Sequence, residues 1–232
     1  MKNTSKKHLL KNKYPLKHQH YCLEDFFCFQ SNTGKIVDWN QSRNILVTED
    51  FIIGLIEGLE REIGNASSVI MYNIGAEWGQ RDANFFQRWF KEEFNYKRGI
   101  NQHIIPYILE AWWWSFTSQG WGNWNVNLSN QKNGFLFINI LDSVVARSLG
   151  DVGKPVCHIY AGLFSGFFSA LIDKRLDCIE INCYSLGETY CSFLLSNRKT
   201  IDAASFWQNE GASASDIRLK LQNGEYLDRA NL

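Results

Sequence analysis

The chain has 232 residues, and its 24 Lys and Arg balance 24 Asp and Glu. That length allows one domain with a sizeable core, and the neutral balance gives no pull toward nucleic acid or an acidic partner. Six Cys are too few for a secreted disulfide scaffold, no stretch of 18 apolar residues spans a bilayer and the basic N-terminus lacks a signal core, so a reducing, cytoplasmic setting fits.

Residues 1–20 carry six Lys and three His with few core-forming side chains, which reads as a basic flexible tail. From Tyr21 to Val47, short apolar runs broken at Ser31-Asn32-Thr33-Gly34 read as a hairpin or an irregular lead-in, with Cys22 and Cys28 as core residues. Thr48 is placed to cap a helix over Phe51 to Ile63, with Glu49 and Asp50 in its first turn.

A longer helix is expected from Ala66 to Phe94. Val69, Tyr72, Ala76, Gly79, Ala83, Phe86 and Phe90 recur at spacings of three and four, with small residues mid-stripe where another element can approach closely. Core packing and a homodimer seam are both compatible with that stripe. A third helix, Ile104 to Gln119, carries Trp112-Trp113-Trp114 and Phe116. Three consecutive Trp spread over about 200°, so at least one must meet a ligand, a partner or solvent. Strands are expected over Asn123 to Leu128 and Gly134 to Leu141, then a short helix from Asp142 to Leu149.

The stretch from Cys157 to Phe193 is the most informative. A helix over Val156 to Asp173 has two small-residue rows, Ala161-Ser165-Ser169 and Gly162-Gly166-Ala170, which suit close packing or a pocket wall. Two β runs follow, joined through Ser185-Leu186-Gly187-Glu188. Cys183 and Cys191 lie four residues either side of Gly187, so a hairpin centred there brings them face to face. With Glu180 between the runs and Cys157 at the start of the helix, three thiols and a carboxylate are candidates for a closed four-coordinate zinc site. A disulfide, or inert buried thiols, remain open on spacing alone. After Ser196 the apolar density falls, and residues 199–232 read as a surface extension.

The Glu180, Cys183, Gly187, Cys191 and Phe193 series resembles the C-terminal mark of the 4-vinyl-reductase (4VR) domain family, E-x2-C-x3-G-x3-C-x-F after a small-residue-rich helix. Cys157 stands at the family's upstream Cys. The specific motif covers the last third of the chain, and Ile74 to Gly79 resembles the family's N-terminal helix. The resemblance implies an α+β fold within a superfamily that includes haem-based nitric-oxide sensors and transport-particle subunits. In that fold an antiparallel sheet carries long helices on one face, and a C-terminal helix leads into the hairpin with the Cys/Glu cluster, all within residues 21–198. It further implies a structural zinc on Cys157, Glu180, Cys183 and Cys191. It also implies a hydrophobic ligand, with a tetrapyrrole of the chlorophyll type as the specific expectation.

Nine Trp, nine Tyr and sixteen Phe suit such a guest as well as a plain core. Tyr72, Trp78, Trp112, Trp113, Phe116, Phe137, Phe164 and Phe168 are the candidate ligand-binding residues, and Trp114 and Trp121 the candidate partner-binding ones. The chain lacks a dinucleotide fingerprint, a P-loop, an H-E-x-x-H and a nucleophile elbow, and no hydride-donor site accompanies the family's name, so a non-catalytic role is expected. Family members in photosynthetic organisms point to pigment delivery or photosystem II assembly at the cytoplasmic face of the photosynthetic membrane, with photosystem subunits as partners. A ligand-responsive regulatory module and a protein scaffold are the alternatives.

Overall fold

The computed structural model describes residues 26–39, 41–100 and 103–225; the basic tail and Cys22 lie outside them. The first elements form a small antiparallel sheet, β1 (Phe27–Gln30), β2 (Lys35–Asp38) and β3 (Arg43–Asn44), turning at Gly34 with φ 64°. Cys28 is exposed there rather than in a core, because β1 turns that edge to solvent, with Phe29 66% exposed beside it.

Helix α1 (Glu49–Ile63) begins at the expected cap, Thr48, and ends where Gly64 turns to φ 58°. Helix α2 (Ala66–Glu93) follows, then α3 (Ile105–Ser118), which has a Pro in its first turn where the missing N–H costs nothing. The main sheet is antiparallel in the order β4-β5-β7-β6, from β4 (Asn123–Asn127), β5 (Phe135–Leu141), β6 (Asp177–Asn182) and β7 (Cys191–Ser196). Between its two hairpins run α4 (Val144–Leu149), capped by the Ser143 hydroxyl, and α5 (His158–Ile172). Thus α+β, with long helices on the sheet, is the observed class.

Helices α2 and α5 touch backbone to backbone. A Cβ on Gly75 or Gly79 would sit 2.0 and 2.1 Å from the carbonyl oxygens of Ile159 and Leu163. A Cβ on Gly162 or Gly166 would sit 1.9 and 2.0 Å from those of Tyr72 and Ala76. Four glycines, two from each helix, therefore let the axes approach far closer than ordinary side chains permit. This fixes the use of one small-residue row. The other row faces the sheet: the Ser165 hydroxyl donates to the Leu176 carbonyl at 2.7 Å, and that of Ser169 does so at 3.2 Å. The buried stripe of α2 runs through Met71, Gly75, Gly79, Ala83, Phe86 and Phe90. Val69, expected on it, is 60% exposed, because the stripe must meet α5 at the glycines and so turns by one residue at its N-terminal end.

The C-terminal segment is not a mere surface extension. Helices α6 (Arg198–Asn209) and α7 (Ala214–Gln222) cover the second face of the sheet. Ile201, Ala203, Ala204, Ile217 and Leu221 pack there with Phe135, Phe137, Ile181 and Leu194 in a core of their own. The low apolar density misleads because each short helix buries only a narrow stripe; Leu219, on the outer side, is 58% exposed.

Candidate metal centre and aromatic core

Glu180 and Cys183 are three apart, which in a regular strand places them on opposite faces. The β6–β7 register breaks that alternation. Glu180 pairs with Phe193 but Asn182 pairs with Ser192, so one extra residue is taken up as a bulge between them. Glu180 and Cys183 thereby face the same side, toward α5. Gly187 turns the chain at φ 80°, and Cys183 and Cys191 come face to face with their sulfurs 3.7 Å apart. The third thiol arrives from Cys157, the N-cap residue of α5, at 4.0 Å from Cys183 and 3.7 Å from Cys191.

All four candidate ligand atoms lie within 4.8 Å of one another, and all four residues are buried. Zinc–sulfur bonds of about 2.3 Å at the corners of a tetrahedron put the sulfurs about 3.8 Å apart, which these three already are. They form no disulfide: all three thiols are free, at separations far beyond a bonded pair. The carboxylate is poised in the same way. Its Oε2 accepts the Cys157 backbone N–H at 2.9 Å, while the buried Oε1 has no hydrogen-bond partner. An oxygen buried without a partner costs about 1–3 kcal/mol, and a cation among the sulfurs removes that cost. The donor set thus fits a structural zinc and leaves no open position for a substrate.

The electrostatics agree with a site that waits for positive charge. Burial pushes the Cys157 thiol and the Glu180 carboxyl well above their usual values, the latter also through the charge on Cys183. Cys183 is held well below its usual value because the Cys157 and Cys191 thiols converge on it, with the Ser185 hydroxyl 2.9 Å from its sulfur. Two hydroxyls thus flank the sulfurs, Ser185 at Cys183 and Ser143 at 3.5 Å from Cys157. Neither was legible from spacing. The Ser185 hydroxyl also lies 2.6 Å from the Lys154 carbonyl, and the Ser185 carbonyl accepts the Gly153 N–H, which ties the 150–155 loop to the hairpin turn. His158 is half-buried, and burial lowers its pKa.

The same sheet face carries the aromatic core. From Cys191 the register leads across β5 at Ile140 to Trp124 on β4, and Phe193 touches Phe164 of α5 with ring centres 5.1 Å apart. Trp112 lies flat on Phe167 at 3.5 Å, and Phe116 stacks on Trp124 at 4.5 Å. Of the candidate ligand residues, Trp112, Phe116, Phe164 and Phe168 are buried in this group, and half-buried Trp78 meets Phe116 and Trp121 at its edge. Tyr72 is half-buried and accepts the Cys178 backbone N–H at its hydroxyl. Trp113, Trp114 and Trp121 are half-buried. Phe137 is separated from the rest: it lies on the opposite face, beneath the Arg218 guanidinium at 4.0 Å. It could not be told apart because β5 is buried on both faces, which erases the alternation that normally marks them.

Two polar groups sit within the rings. The Trp112 indole donates to Asp82 at 3.0 Å, and burial pushes that carboxyl up to about 6. The Trp124 indole N–H is buried with no acceptor. A cleft of about 520 Å³ opens elsewhere, on the outer side of α2, lined by Arg81, Asn84, Gln87, Arg88 and Lys91. It shares no residue with the expected ligand set.

Residues 136–197, which hold all four members of the Cys/Glu cluster, match the 4-vinyl-reductase (4VR) domain. An uncharacterized protein of Methanocaldococcus jannaschii, MJ1642, is 38% identical over 145 residues, 61% of this chain and 74% of its own length. The chain belongs to the 4VR family. A second protein of that organism, MJ0150, is 28% identical over 65 residues, 28% of this chain and 37% of the relative. Among solved structures, the phenol-responsive sensory domain of the transcription activator PoxR, solved with phenol, has a TM-score of 0.59 at 21% identity. The match covers 75% of this chain and 86% of that domain. At that identity it establishes a shared fold. Among the described residues no helix is long and apolar enough to cross a membrane.

Proposed function

We propose that this 4VR-family protein is a non-catalytic binding module for a small aromatic molecule bearing an acceptor oxygen, with a structural zinc on Cys157, Glu180, Cys183 and Cys191. The observation that carries the reading is the Trp124 indole N–H, buried among Trp112, Phe116, Tyr160 and Phe164 without an acceptor. Leaving such a donor unpaired costs about 1–3 kcal/mol, and a guest that stacks on the rings and offers an oxygen recovers it. Zinc supplies no reactive position; it holds the N-terminus of α5 on the hairpin, so the rings of α5 stay in register with the sheet. Phenol in the PoxR domain is consistent with a guest of this size.

Tetrapyrrole binding, and with it pigment delivery or photosystem assembly, is the wider-ligand version of the same reading. It finds no support among the relatives. It also asks for a broad slot where Trp112 and Phe167 lie in van der Waals contact at 3.5 Å. A ligand-responsive regulatory role is favoured over an inert scaffold because the guest would bind where α2, α3 and α5 meet.

Tryptophan quenching and calorimetry with phenol in one arm and protoporphyrin in the other test this. Saturable binding of phenol, weakened in Trp124→Phe, is expected. Porphyrin binding without phenol binding moves the reading to the wide ligand, and no binding of either by the zinc-loaded protein refutes it.

A further inference from the structure

The outward face of α1 points to self-association: we infer that it is the interface with a second copy of this chain, crossing antiparallel at Gly54 and Gly58. Glycine is the poorest helix residue after proline, and both glycines sit inside a 15-residue helix. Elsewhere in this molecule helical glycines have an evident reason, since Gly75, Gly79, Gly162 and Gly166 each abut another backbone within about 2 Å of a would-be Cβ. At Gly54 and Gly58 a Cβ would meet nothing within 4 Å. The close approach that explains the other four has no counterpart here within the chain.

The surroundings match an interface. At 100° per residue, Gly54, Gly58, Phe51 and Leu55 fall within an arc of about 100°. Phe51 is 54% and Leu55 39% exposed, and the strap leading into α1 exposes Ile45, Leu46 and Val47 as well. Apolar side chains grouped in this way mark an interaction surface rather than scattered exposure.

Charge selects the occupant. Asp50 and Arg61 lie on one flank of the arc, near opposite ends of the helix, and among the described residues neither has an ion-pair partner. A copy related by a two-fold axis through the Gly54–Gly58 region sets Asp50 of each protomer beside Arg61 of the other. The face is complementary to itself, as an isologous dimer requires. It is independent of the ligand reading, and the test needs neither ligand nor added zinc.

Sedimentation velocity and native mass spectrometry of the full chain read it directly. The wild type is expected to dimerise at micromolar concentration. Gly54→Ala with Gly58→Ala should raise the helix propensity of α1 yet weaken the dimer about tenfold or more, since the added methyls meet the partner backbone. Asp50→Arg and Arg61→Asp should each shift the protein to monomer, and the two combined should restore the dimer. A monomeric wild type overturns the assignment, as does a dimer that none of these changes weakens.

Discussion

Glu180→Gln separates the metal from the packing. The amide has the shape of the carboxyl, and its carbonyl can still accept the Cys157 N–H now taken by Oε2 at 2.9 Å. Its NH2 then occupies the place of the unpartnered Oε1 and points donor hydrogens at the sulfurs, where a cation cannot use them. Without zinc, burial already holds Glu180 toward its neutral form, so the apo variant should melt close to the apo wild type. With zinc, one of four ligands is gone. Loss of even an outer-shell partner lowers metal affinity by up to about a hundredfold, so a direct ligand should cost at least that, about 3 kcal/mol. For a chain of this size that removes about 6–12 °C from the zinc-induced rise in Tm. Calorimetric melts of both proteins with chelator and with buffered free zinc give the comparison. Because protons must leave Cys157 and Glu180 on binding, the wild-type zinc shift should also grow as pH rises. Equal zinc shifts in the two proteins would refute the assignment of Glu180 as a ligand, and an apo variant that is largely unfolded would refute the account of its neutral state.

Gly79→Ala drives a Cβ to 2.1 Å from the Leu163 carbonyl oxygen, so α2 and α5 must part by more than an ångström. A loss of about 3 kcal/mol, or about 6–12 °C by calorimetry, is expected. Asp82, raised from 3.8 to about 6 by burial, favours the fold while protonated. Its contribution is full below pH 4 and about 3 kcal/mol is lost as pH rises through about 6. Urea unfolding of Asp82→Asn should lack that decline. Ser185→Ala deletes the hydroxyl 2.9 Å from the Cys183 sulfur, and competition against a zinc chelator should show about tenfold weaker binding with the helix content unchanged.

Much of the fold was legible along the chain. The glycine-centred spacing of Cys183 and Cys191 anticipated their pairing, because a hairpin maps equal distances from its turn onto facing positions. The small-residue rows of α5 announced a close approach, although only the structure shows Gly75 and Gly79 as the partners across it. The dimer-seam reading of α2 gives way for the same reason, since those glycines are covered by α5. The triple Trp distributes as helical geometry demands, with Trp112 buried and its two neighbours half-exposed.

By itself, the sequence determined which chemical groups are present and how far apart along the backbone they stand: three thiols, one carboxylate, a hairpin and a helix. Only the tertiary structure decided that they converge. The bulge between Glu180 and Asn182 reverses which face each residue meets, the N-terminus of α5 carries Cys157 onto the hairpin, and α6 and α7 claim Phe137 for the other side. Local spacing follows from bond geometry, whereas a bulge or a helix docking is selected by how well whole surfaces pack, which no single segment encodes.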